Sequence, residues 1–489
     1  MSISDNTIAP RDAAWREELR QSHSAKERTA IPRVKMPELD AAYRVTTCSE
    51  EVNQGLSEEQ AVIEARRCLD CPDPQCTTGC PVGINIPGFI KNIERGEFGQ
   101  AARVLKETSA LPSVCGRVCP QEKQCESRCI YHKMKKEPVA IGYLERFAAD
   151  FDRASGGEAA VIRPESNGIM IAVVGSGPAG LSFAGDMAKR GYDVTVFEAL
   201  HEIGGVLKYG IPEFRLPNSV VDVEIRGLEE LGVRFVKDTV VGKTLSYDDL
   251  HEMGFRGIFV ASGAGLPRFM GIPGENYIGV MSCNEYLTRI NLMGAGHAGY
   301  DTPVMRGTRV AVIGGGNTAM DAVRTARRMG AETAMIVYRR SEEEMPARVE
   351  EVKHAKEEGV EFLTLHNPVE YLADEKGRVN MMRVQRMELG EPDASGRRSP
   401  VPVEGAVEDI PVDMVVVSVG VSPNPLIPNA ISELEVSRRG TIVVNEGTMQ
   451  SSISDIYAGG DIVRGGATVI LAMGDGRRAA LHMHEALSR

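Results

Sequence analysis

Two short glycine-rich loops, each lying between a buried-strand pattern and a helix, constrain the fold of this 489-residue chain more than any other feature. The first follows the apolar run Ile169–Val174 and occupies Gly175–Gly180, GSGPAG. The second follows Arg309–Ile313 about 140 residues later and begins with Gly314–Asn317, GGGN. Each helix leads into a further strand, and such strand–loop–helix–strand units build parallel sheets covered by helices. The pair predicts an α/β chain with two Rossmann-like nucleotide-binding domains.

The first loop has the residue types that a dinucleotide pyrophosphate requires. Its first glycine permits a tight turn, its second lets backbone approach the phosphates, and its third allows close helix–strand packing. Glu198 ends the next strand, 23 residues after Gly175, where a carboxylate binds ribose hydroxyls. A lone glycine loop is also typical of an ordinary turn, but here strand, helix and acid are in register. The candidate contacts are Gly175, Gly177, Pro178, Ala179, Gly180 and Glu198.

The second loop differs at the end of its following strand, which reads Val337-Tyr338-Arg339-Arg340 and has no acidic residue. A carboxylate there would repel a 2′-phosphate, whereas paired guanidiniums would bind it. We therefore predict that this domain binds NADP(H) rather than NAD(H). The alternative is that one or both arginines form surface ion pairs with Glu342–Glu344. The candidate contacts are Gly314, Gly315, Gly316, Asn317, Arg339 and Arg340.

A third segment, near the C-terminus, fits the pattern of the first domain. Ile456–Asp461, IYAGGD, follows a strand-like run at Thr441–Asn445, and its Asp is placed to reach a ribityl or pyrophosphate group. Downstream, Thr468–Ala480 has the pattern of a helix whose N-terminus is placed to face a flavin ring. Taken singly, these are ordinary turns. Together they predict a first nucleotide domain that is interrupted by the second and completed at the end of the chain.

Nine of the ten cysteines lie between Cys48 and Cys129, ahead of both nucleotide domains. Cysteines packed into one segment of a long chain favour metal binding over a disulfide framework. Eight form two blocks, C-x2-C-x4-C-x3-C-P and C-x3-C-x5-C-x3-C, and the first resembles the cysteine run of two-cluster ferredoxins. Two structural zinc sites are the competing interpretation, but zinc favours paired C-x2-C knuckles. We predict two four-ligand iron–sulfur sites, with Cys48 and Cys283 as buried apolar residues.

Composition excludes several classes of protein. The 56 Lys and Arg residues against 68 Asp and Glu give a net charge of −12, which argues against a general nucleic-acid binder. No apolar run approaches the ~20 residues of a membrane span. The N-terminal MSISDNTIAPRDAAWREELR has mixed charges and no apolar core, so we expect no secretory signal and predict a cytoplasmic protein.

Long motifs run through most of the chain, among them CLDC, LPSVCGRVCPQEKQCESRC, AVVGSGPAGL, GGVLKYGIPEFRLP, VAVIGGGNTAMDAVRTA, YRR, GEPDASGRR and YAGGDIVRG. From about Ser57 to the C-terminus they resemble the small (beta) subunit of NADPH-dependent glutamate synthase and its close relatives. Those relatives include the large subunit of the electron-bifurcating NADH-dependent ferredoxin:NADP oxidoreductase and the N-terminal half of dihydropyrimidine dehydrogenase.

The resemblance implies FAD in the first nucleotide domain, NADPH in the second, and two 4Fe–4S clusters in an α-helical domain before them. It divides the chain into a cluster domain at 1–165, an FAD domain at 166–300 and 423–489, and an NADPH domain at 301–422. It also adds Gly205, Leu207, Arg215, Gly263, Gly460, Asp461 and Thr468 to the FAD site and Thr318 to the NADPH site.

The resemblance further implies a ligand set for each cluster: Cys68, Cys71, Cys76 and Cys129 for one, and Cys80, Cys119, Cys125 and Glu145 for the other. Cys115 is then spare, although spacing alone makes it the fourth thiolate of its block. The alternative for Glu145 is an ion pair with Arg146 or a nearby Lys on a solvated helix.

The implied reaction is hydride transfer between NADPH and flavin, followed by single-electron steps through the clusters. Because the cofactors carry this chemistry, we expect no catalytic acid–base residue. A partner must supply glutamate formation, since the chain starts Met1-Ser2 without a nucleophilic cysteine and leaves no length for an FMN barrel. The alternative partner is a small FAD/2Fe–2S subunit, with ferredoxin as a further partner. A non-catalytic zinc-stabilised scaffold is the rival of another class, and we expect no nucleic-acid or membrane partner.

Overall fold

The computed structural model describes residues 10–156, 162–297, 299–394 and 396–488 of the chain. Residues 1–9, the start of the N-terminal segment that we expect to lack a secretory signal, lie outside these ranges, as do residues 157–161. Within the described ranges, no helix is both long enough and apolar enough to cross a membrane.

The first part of the chain is helical, as predicted, and capping groups set where its helices begin. The Ser57 hydroxyl accepts from the Gln60 N–H while the Gln60 side chain accepts from the Ser57 N–H, a reciprocal capping box. Three short 3-10 turns connect the last two helices, at Gln121–Lys123, Glu126–Arg128 and Ile130–Met134. The helices are α1 Ala14–Ser22, α2 Ala25–Ala30, α3 Ala41–Arg44, α4 Glu58–Arg66, α5 Gln75–Thr78, α6 Ile86–Glu94, α7 Phe98–Thr108, α8 Pro112–Val118 and α9 Ile141–Ala154.

The first nucleotide domain begins with the predicted unit around the GSGPAG loop. Its central strands are buried along nearly their whole length, as is typical of parallel strands covered on both faces. Its elements are β1 Met170–Val174, α10 Pro178–Ala188, β2 Asp193–Phe197, α11 Val206–Tyr209, α12 Asn218–Glu230, β3 Arg234–Val236, α13 Tyr247–Glu252 and β4 Phe255–Val260, followed by the short β5 Leu266–Pro267.

The second nucleotide domain follows with its own parallel sheet. Its elements are β6 Val280–Ser282, α14 Cys283–Asn291, β7 Arg309–Ile313, α15 Asn317–Arg328, β8 Thr333–Tyr338, α16 Val349–Glu357, β9 Glu361–Thr364, β10 His366–Ala373, β11 Val379–Pro392, β12 Arg398–Pro411 and β13 Met414–Val417. The five-stranded sheet has the order β6-β13-β7-β8-β9. Strands β10, β11 and β12 form a separate antiparallel sheet that the glycine-loop pattern did not predict.

The end of the chain returns to the first domain, and the predicted interruption is confirmed. Its elements are β14 Val421–Ser422, α17 Leu426–Ala430, β15 Ile456–Ala458, α18 Asp461–Arg464 and α19 Val469–Leu487. Strand β15 pairs in parallel with β4, which gives the first sheet the order β15-β4-β1-β2-β3. Strands β5 and β14, the outgoing and returning connections between the domains, pair antiparallel with each other.

The boundary between the nucleotide domains lies earlier than the predicted division at residues 300 and 301. Strand β6 pairs with β13 of the second sheet, with Val280 opposite Val415. Tyr286 and Leu287 of α14 are buried in the core of the second domain beside Val310. The second domain therefore begins before Val280, because this strand and helix complete its sheet and cover one face.

A continuous hydrophobic core joins the helical domain to the first nucleotide domain. It includes Phe89 and Leu144 from the helices, and Val173, Phe183 and Met473 from the sheet domain. The second nucleotide domain has separate cores on the two faces of its sheet. The helical domain and the first nucleotide domain are therefore one packed body, and the second domain is attached to it by polar contacts and by the β5–β14 pair.

The close packing of α19 on α10 gives a test of this arrangement. A methyl group at Gly476 would overlap the Ala179 carbonyl oxygen and lie 3.0 Å from the Phe183 nitrogen, whereas one at Gly227 of α12 would meet nothing within 4 Å. We predict that Gly476→Ala lowers the free energy of unfolding by about 1–3 kcal/mol through overpacking. Gly227→Ala, the matched helical control, should raise it by up to about 1 kcal/mol. Thermal and urea unfolding measure both, and equal effects would contradict the packing.

Candidate cofactor sites

The first glycine loop lies between the end of β4 and the segment that precedes α11. Gly175 has φ +101°, and a Cβ there would lie 2.5 Å from the Ala261 carbonyl oxygen at the end of β4. A Cβ at Gly177 would meet nothing within 4 Å, so this side of the loop is open at the N-terminus of α10. Gly205, with φ +56°, approaches from the other side, where a Cβ would lie 3.0 Å from Gly177 Cα. The result is a narrow cradle of bare backbone suited to phosphate oxygens.

Glu198 lies directly after β2 and is 5% exposed. Its carboxylate accepts hydrogen bonds from the Ser176 N–H at 2.9 Å and the Ser176 hydroxyl at 2.6 Å, and from the Leu200 N–H at 2.9 Å. The Ser176 hydroxyl in turn accepts from the Gly204 N–H. Glu198 therefore ties the glycine loop to the segment before α11, and its predicted ribose contact stays a prediction.

The C-terminal segment meets the first loop, as its pattern indicates. A Cβ at Gly460 would lie 3.0 Å from the Ala179 Cβ, so the IYAGGD turn touches the start of α10. The Asp461 carboxylate accepts from the Ala467 N–H at 2.9 Å, and burial raises its pKa. Thr468 caps α19 through the Leu471 N–H. Gly460, Asp461 and the N-terminus of α19 thus belong to the same region as the cradle.

The remaining predicted contacts of the first site have different surroundings. Leu207 is fully buried in the shared core, and Gly263 lies in open space with φ +71°. Arg215 is buried, and its Nη1 donates to Asp321 Oδ2 at 2.8 Å, on helix α15 of the second domain. Its Nε also lies 3.4 Å from Glu351 Oε1. The Arg215 contacts seen here are between domains, and its contact with a cofactor stays a prediction.

The second loop repeats the geometry of the first at the start of α15. A Cβ at Gly314 would overlap the Ser418 carbonyl oxygen at the end of β13, and Gly315 lies against the Tyr338 ring. Gly316 has open space around it. Asn317 Oδ1 accepts from the Arg348 N–H at 2.9 Å, and the Thr318 carbonyl accepts from the Cys283 thiol at 3.3 Å.

The two arginines that follow β8 differ in their exposure to solvent. Arg340 is buried, donates from Nη2 to Asp393 Oδ2 at 2.6 Å and donates from Nε to the Arg398 carbonyl at 2.8 Å. Arg339 is exposed beside it. Among the described residues neither arginine forms an ion pair with Glu342–Glu344; Glu342 pairs with Lys356 at 2.6 Å and Arg340 pairs with Asp393. The turn between β11 and β12, in the motif GEPDASGRR, thus braces Arg340, a contact that sequence reasoning missed.

Four cysteines from both blocks gather near the surface of the helical domain. Burial raises the pKa of the Cys76 thiol, and the neighbouring Cys68, Cys129 and Cys71 raise it further. Burial also raises the pKa of Cys68 to about 11. The structure thus brings together the four predicted ligands of one cluster: Cys68, Cys71, Cys76 and Cys129.

The second set lies deeper, where α8 and α9 cross. Burial raises the pKa of Cys80 to about 11, with Glu145 and Cys119 among the charges that raise it further. Cys119 and Cys125 are buried and act electrostatically on each other. Cys115 is fully buried beside Cys119. The structure therefore brings together both candidates for the fourth ligand, Glu145 and Cys115.

Glu145 is 6% exposed, and its Oε1 has no hydrogen-bond partner among the described residues. Burial raises the pKa of this carboxyl to about 8, with Glu224 contributing. The neighbouring Arg146 pairs with Glu51 and Asp150 instead, so the alternative of a solvated ion pair for Glu145 is wrong. A buried oxygen without a partner among three cysteines is a fit for a cluster ligand.

Cys115 has another contact of its own. Its thiol lies 3.5 Å from the Met473 sulfur on α19. Cys283 is buried, as predicted, but Cys48 is only half-buried and lines a cavity of about 450 Å³ with Phe214 and Thr325.

The spacing of the thiols bears on the zinc alternative. Four thiolates around one zinc ion, at Zn–S ≈ 2.3 Å, lie ~3.8 Å apart. In the part of the chain that the structure describes, only Glu38, His354 and Glu357 bring three potential ligand atoms within 4.8 Å of one another. The cysteine sets are therefore more widely spaced than a single zinc ion requires.

Two known families match successive parts of the chain. Residues 44–157 match the family described as dihydropyrimidine dehydrogenase domain II, 4Fe-4S cluster, and residues 169–476 match pyridine nucleotide-disulphide oxidoreductase. The chain is 36% identical over 440 residues to a glutamate synthase [NADPH] small chain from Azospirillum brasilense, covering 89% of this chain and 90% of that one. It is 38% identical over 435 residues to an NADP(+)-dependent formate dehydrogenase subunit beta from Moorella thermoacetica, covering 84% and 60% of the two chains.

Among solved structures, the chain resembles FprA from Mycobacterium tuberculosis in complex with NADPH, with a TM-score of 0.55 and 21% identity. The match covers 65% of this chain and 85% of that one. At this identity the likeness shows the fold alone.

The geometry of the deeper set separates its two candidate fourth ligands. We predict that Cys115→Ser retains both clusters, because its thiol faces Cys119 and Met473, whereas Glu145→Ala loses or alters one. A carboxylate is a harder ligand than a thiolate, so replacing it should also change the low-temperature EPR signal. Iron content and EPR of the two variants decide between them. Loss of a cluster in Cys115→Ser alone would show that the ligand set is wrong.

The arginine pair gives a second test. We predict that Arg339→Ala and Arg340→Ala each weaken NADPH binding much more than NADH binding, because a guanidinium–phosphate contact contributes up to about 3 kcal/mol. Dissociation constants for both nucleotides measure the difference, with Arg256→Ala, an exposed arginine on β4, as the control. Equal losses for the two nucleotides would refute the assignment of the 2′-phosphate site.

Proposed function

This chain belongs to the family of the small chains of NADPH glutamate synthase and is an NADPH-dependent oxidoreductase, and we propose that it delivers electrons from NADPH, through FAD and two 4Fe–4S clusters, to a larger partner subunit. The observation that carries this proposal is that one helix, α19, contacts both the first glycine-loop region and the segment of the deeper cysteine set. This contact would bring the proposed flavin site and the proposed inner cluster to opposite sides of one helix.

The contacts of α19 are short on both sides. On one side, a Cβ at Gly474 would lie 3.0 Å from the Pro81 carbonyl oxygen, directly after Cys80, and Met473 meets Cys115. On the other side, the Ser182 hydroxyl of α10 donates to the Met473 carbonyl at 3.0 Å. The proposed flavin site and the proposed inner cluster therefore lie on opposite sides of α19, separated by about the thickness of one helix. The proposed ligands of the inner cluster are Cys80, Cys119, Cys125 and Glu145.

In this proposal the chain supplies binding and orientation. When bound, the flavin exchanges a hydride with the nicotinamide and single electrons with the clusters. The N-termini of α10 and α15 offer amide donors to the two pyrophosphates. Arg339 and Arg340 would hold the 2′-phosphate, and the burial of Cys119 and Cys125 would keep water away from the inner cluster. No acid–base side chain is needed, and we assign none.

The outer cluster, Cys68, Cys71, Cys76 and Cys129, is the proposed exit. Cys71 is half-buried, and Pro72 and Asp73 beside it are exposed. The buried Asp70 carboxylate accepts hydrogen bonds from Arg20 at 2.7 Å and also from Arg16. These ion pairs hold the loop in place. A partner that covers this loop would therefore approach the cluster closely while the loop stays rigid.

We propose that the partner is a large subunit of the glutamate synthase type, on which L-glutamate forms from L-glutamine and 2-oxoglutarate. The Moorella relative, a formate dehydrogenase subunit, supports the broader class of partners. The small FAD/2Fe–2S subunit of an electron-bifurcating enzyme, with ferredoxin, is the second candidate. None of the ten cysteines, all of which lie in the described residues, forms a disulfide, which fits the reducing cytoplasm. Identifying the subunit that co-purifies with the tagged chain distinguishes these partners.

The cofactor content tests the proposal directly. Purified full-length protein should contain FAD and about eight irons per chain without stoichiometric zinc. Cys71→Ser should lose about half the iron and most of the NADPH-dependent electron delivery to the partner, while NADPH still bleaches the flavin. Absorption spectra, elemental analysis and anaerobic NADPH titration measure these changes.

Cys283→Ser is the matched control, because this cysteine is buried in the second domain and contacts Thr318 rather than either cysteine set. It should retain all the iron. Two zinc ions per chain without flavin absorption would instead support the zinc-stabilised scaffold.

A further inference from the structure

A four-residue segment of the second nucleotide domain, Met345–Arg348, lies between its glycine loop and the helical domain; we call it the strap. On the nucleotide side, the Ala347 N–H donates to the Gly315 carbonyl at 3.2 Å. The Arg348 N–H donates to Asn317 Oδ1 at 2.9 Å. The strap backbone is therefore bonded directly to the loop and helix start that are predicted to hold NADPH.

On its other side, the strap is held by the segment around Cys119, from Arg117 to Lys123. Arg348 Nη1 donates to the Arg117 carbonyl at 3.0 Å, and Nη2 donates to Gln121 Oε1 at 2.7 Å. Lys123 Nζ donates to the Pro346 carbonyl at 2.9 Å and to the Ala347 carbonyl at 3.3 Å. Contacts on both flanks of Cys119 thus converge on the strap.

The Arg348 side chain is only 4% exposed, so its charge is felt strongly by its neighbours. Glu350 lies 3.2 Å from Nη2 and Glu122 lies 3.6 Å from Nε. The positive charge also acts on the Cys119 thiol. Arg348 is therefore a buried cation between the proposed inner cluster and the NADPH loop, bonded to both segments.

We propose that Arg348 is a positioning residue through which NADP(H) binding and the reduction potential of the inner cluster influence each other. The proposal rests on the proposed function, since it requires both cofactors in these places. Bound nucleotide would add contacts to the Gly314–Asn317 loop, and through that loop it would hold the strap and its guanidinium more firmly against the Cys119 segment.

The sign of the effect follows from charge. Reduction adds a negative charge to a cluster, and a nearby seated guanidinium stabilises that state, so bound nucleotide raises the potential. By linkage, the reduced protein then binds nucleotide more tightly by the same factor. Couplings between sites are commonly 5- to 150-fold. We expect about tenfold, which corresponds to about 59 mV for a one-electron couple.

The test uses 2′-phospho-ADP-ribose, which carries the pyrophosphate and the 2′-phosphate but no nicotinamide and therefore accepts no hydride. EPR-monitored redox titration of the full-length protein gives the potential of each centre with and without this probe. The inner centre is the one whose signal changes in Glu145→Ala. In wild type the probe should raise its potential, and in Arg348→Gln the potential should be lower and unaffected by the probe.

Two further variants keep the test decisive. Lys123→Met removes only the bonds of an exposed side chain to the strap, so it should fold normally and reduce the probe-induced shift. Arg327→Gln is the matched control, because this arginine of α15 donates to the carbonyls of Glu358, Ala331 and Glu332 and does not contact the strap. It should retain the full shift.

An unchanged shift in Lys123→Met, together with an unchanged shift in folded Arg348→Gln, would overturn the role of the strap. An equal loss in Arg327→Gln would also overturn it. Failure of the proposed function is separately visible, because wild-type protein would then lack flavin or two iron–sulfur signals before any probe is added.

Discussion

The last helix of the chain, α19, packs against α10 at Gly476 and against the Cys80–Pro81 turn at Gly474, and the arrangement of the cofactor sites depends on this double contact. A side chain larger than glycine at either position would push the two surfaces apart. Because α19 is also the element that completes the interrupted first domain, the end of the chain contributes directly to the interface with the helical domain. The shared hydrophobic core follows from this closure, since Met473 and Ala480 fill the space between the helical domain and β1–β4.

The second nucleotide domain is held differently, by buried ion pairs. Glu358, at the end of α16, is fully buried and accepts from Arg324 at 2.8 Å, from Arg328 at 2.6 Å and from Arg44 of the helical domain at 2.8 Å. Burial alone would raise the pKa of Glu358, but the Arg324 and Arg328 guanidiniums hold it well below its usual range. The stabilisation is thus fully present above the ordinary carboxyl pKa and is lost as pH falls toward the folded value. Removing one partner of such a pair costs about 3–5 kcal/mol, so the orientation of this domain toward the helical domain is strongly fixed.

Much of this architecture could be predicted from local patterns, because each glycine loop lies between its own strand and helix. The interrupted first domain could also be inferred, since the IYAGGD turn makes sense only beside the GSGPAG loop. The antiparallel sheet β10–β12 was not predicted, because β11 buries Met382 and Val384 at alternate positions but β12 is largely exposed and has no regular alternation. Its pairing, and the contact of Asp393 with Arg340 that it creates, join residues far apart in sequence. The contacts of Arg215 with Asp321 and of β6 with β13 were missed for the same reason.

The ligand question at Glu145 shows why spacing alone is insufficient in a helical domain. The second cysteine block has four thiols at regular intervals, so Cys115 is the natural fourth ligand by spacing. In the structure, α9 crosses α8 at Gly116, where a Cβ would lie 2.6 Å from the Arg146 backbone nitrogen. This crossing brings Glu145 into the cysteine set from outside the block. Cys115, one residue from the crossing, is directed toward Met473 and Cys119. The close packing at Gly116 therefore places Glu145 beside Cys80, Cys119 and Cys125, a proximity that the spacing of the cysteines alone does not indicate.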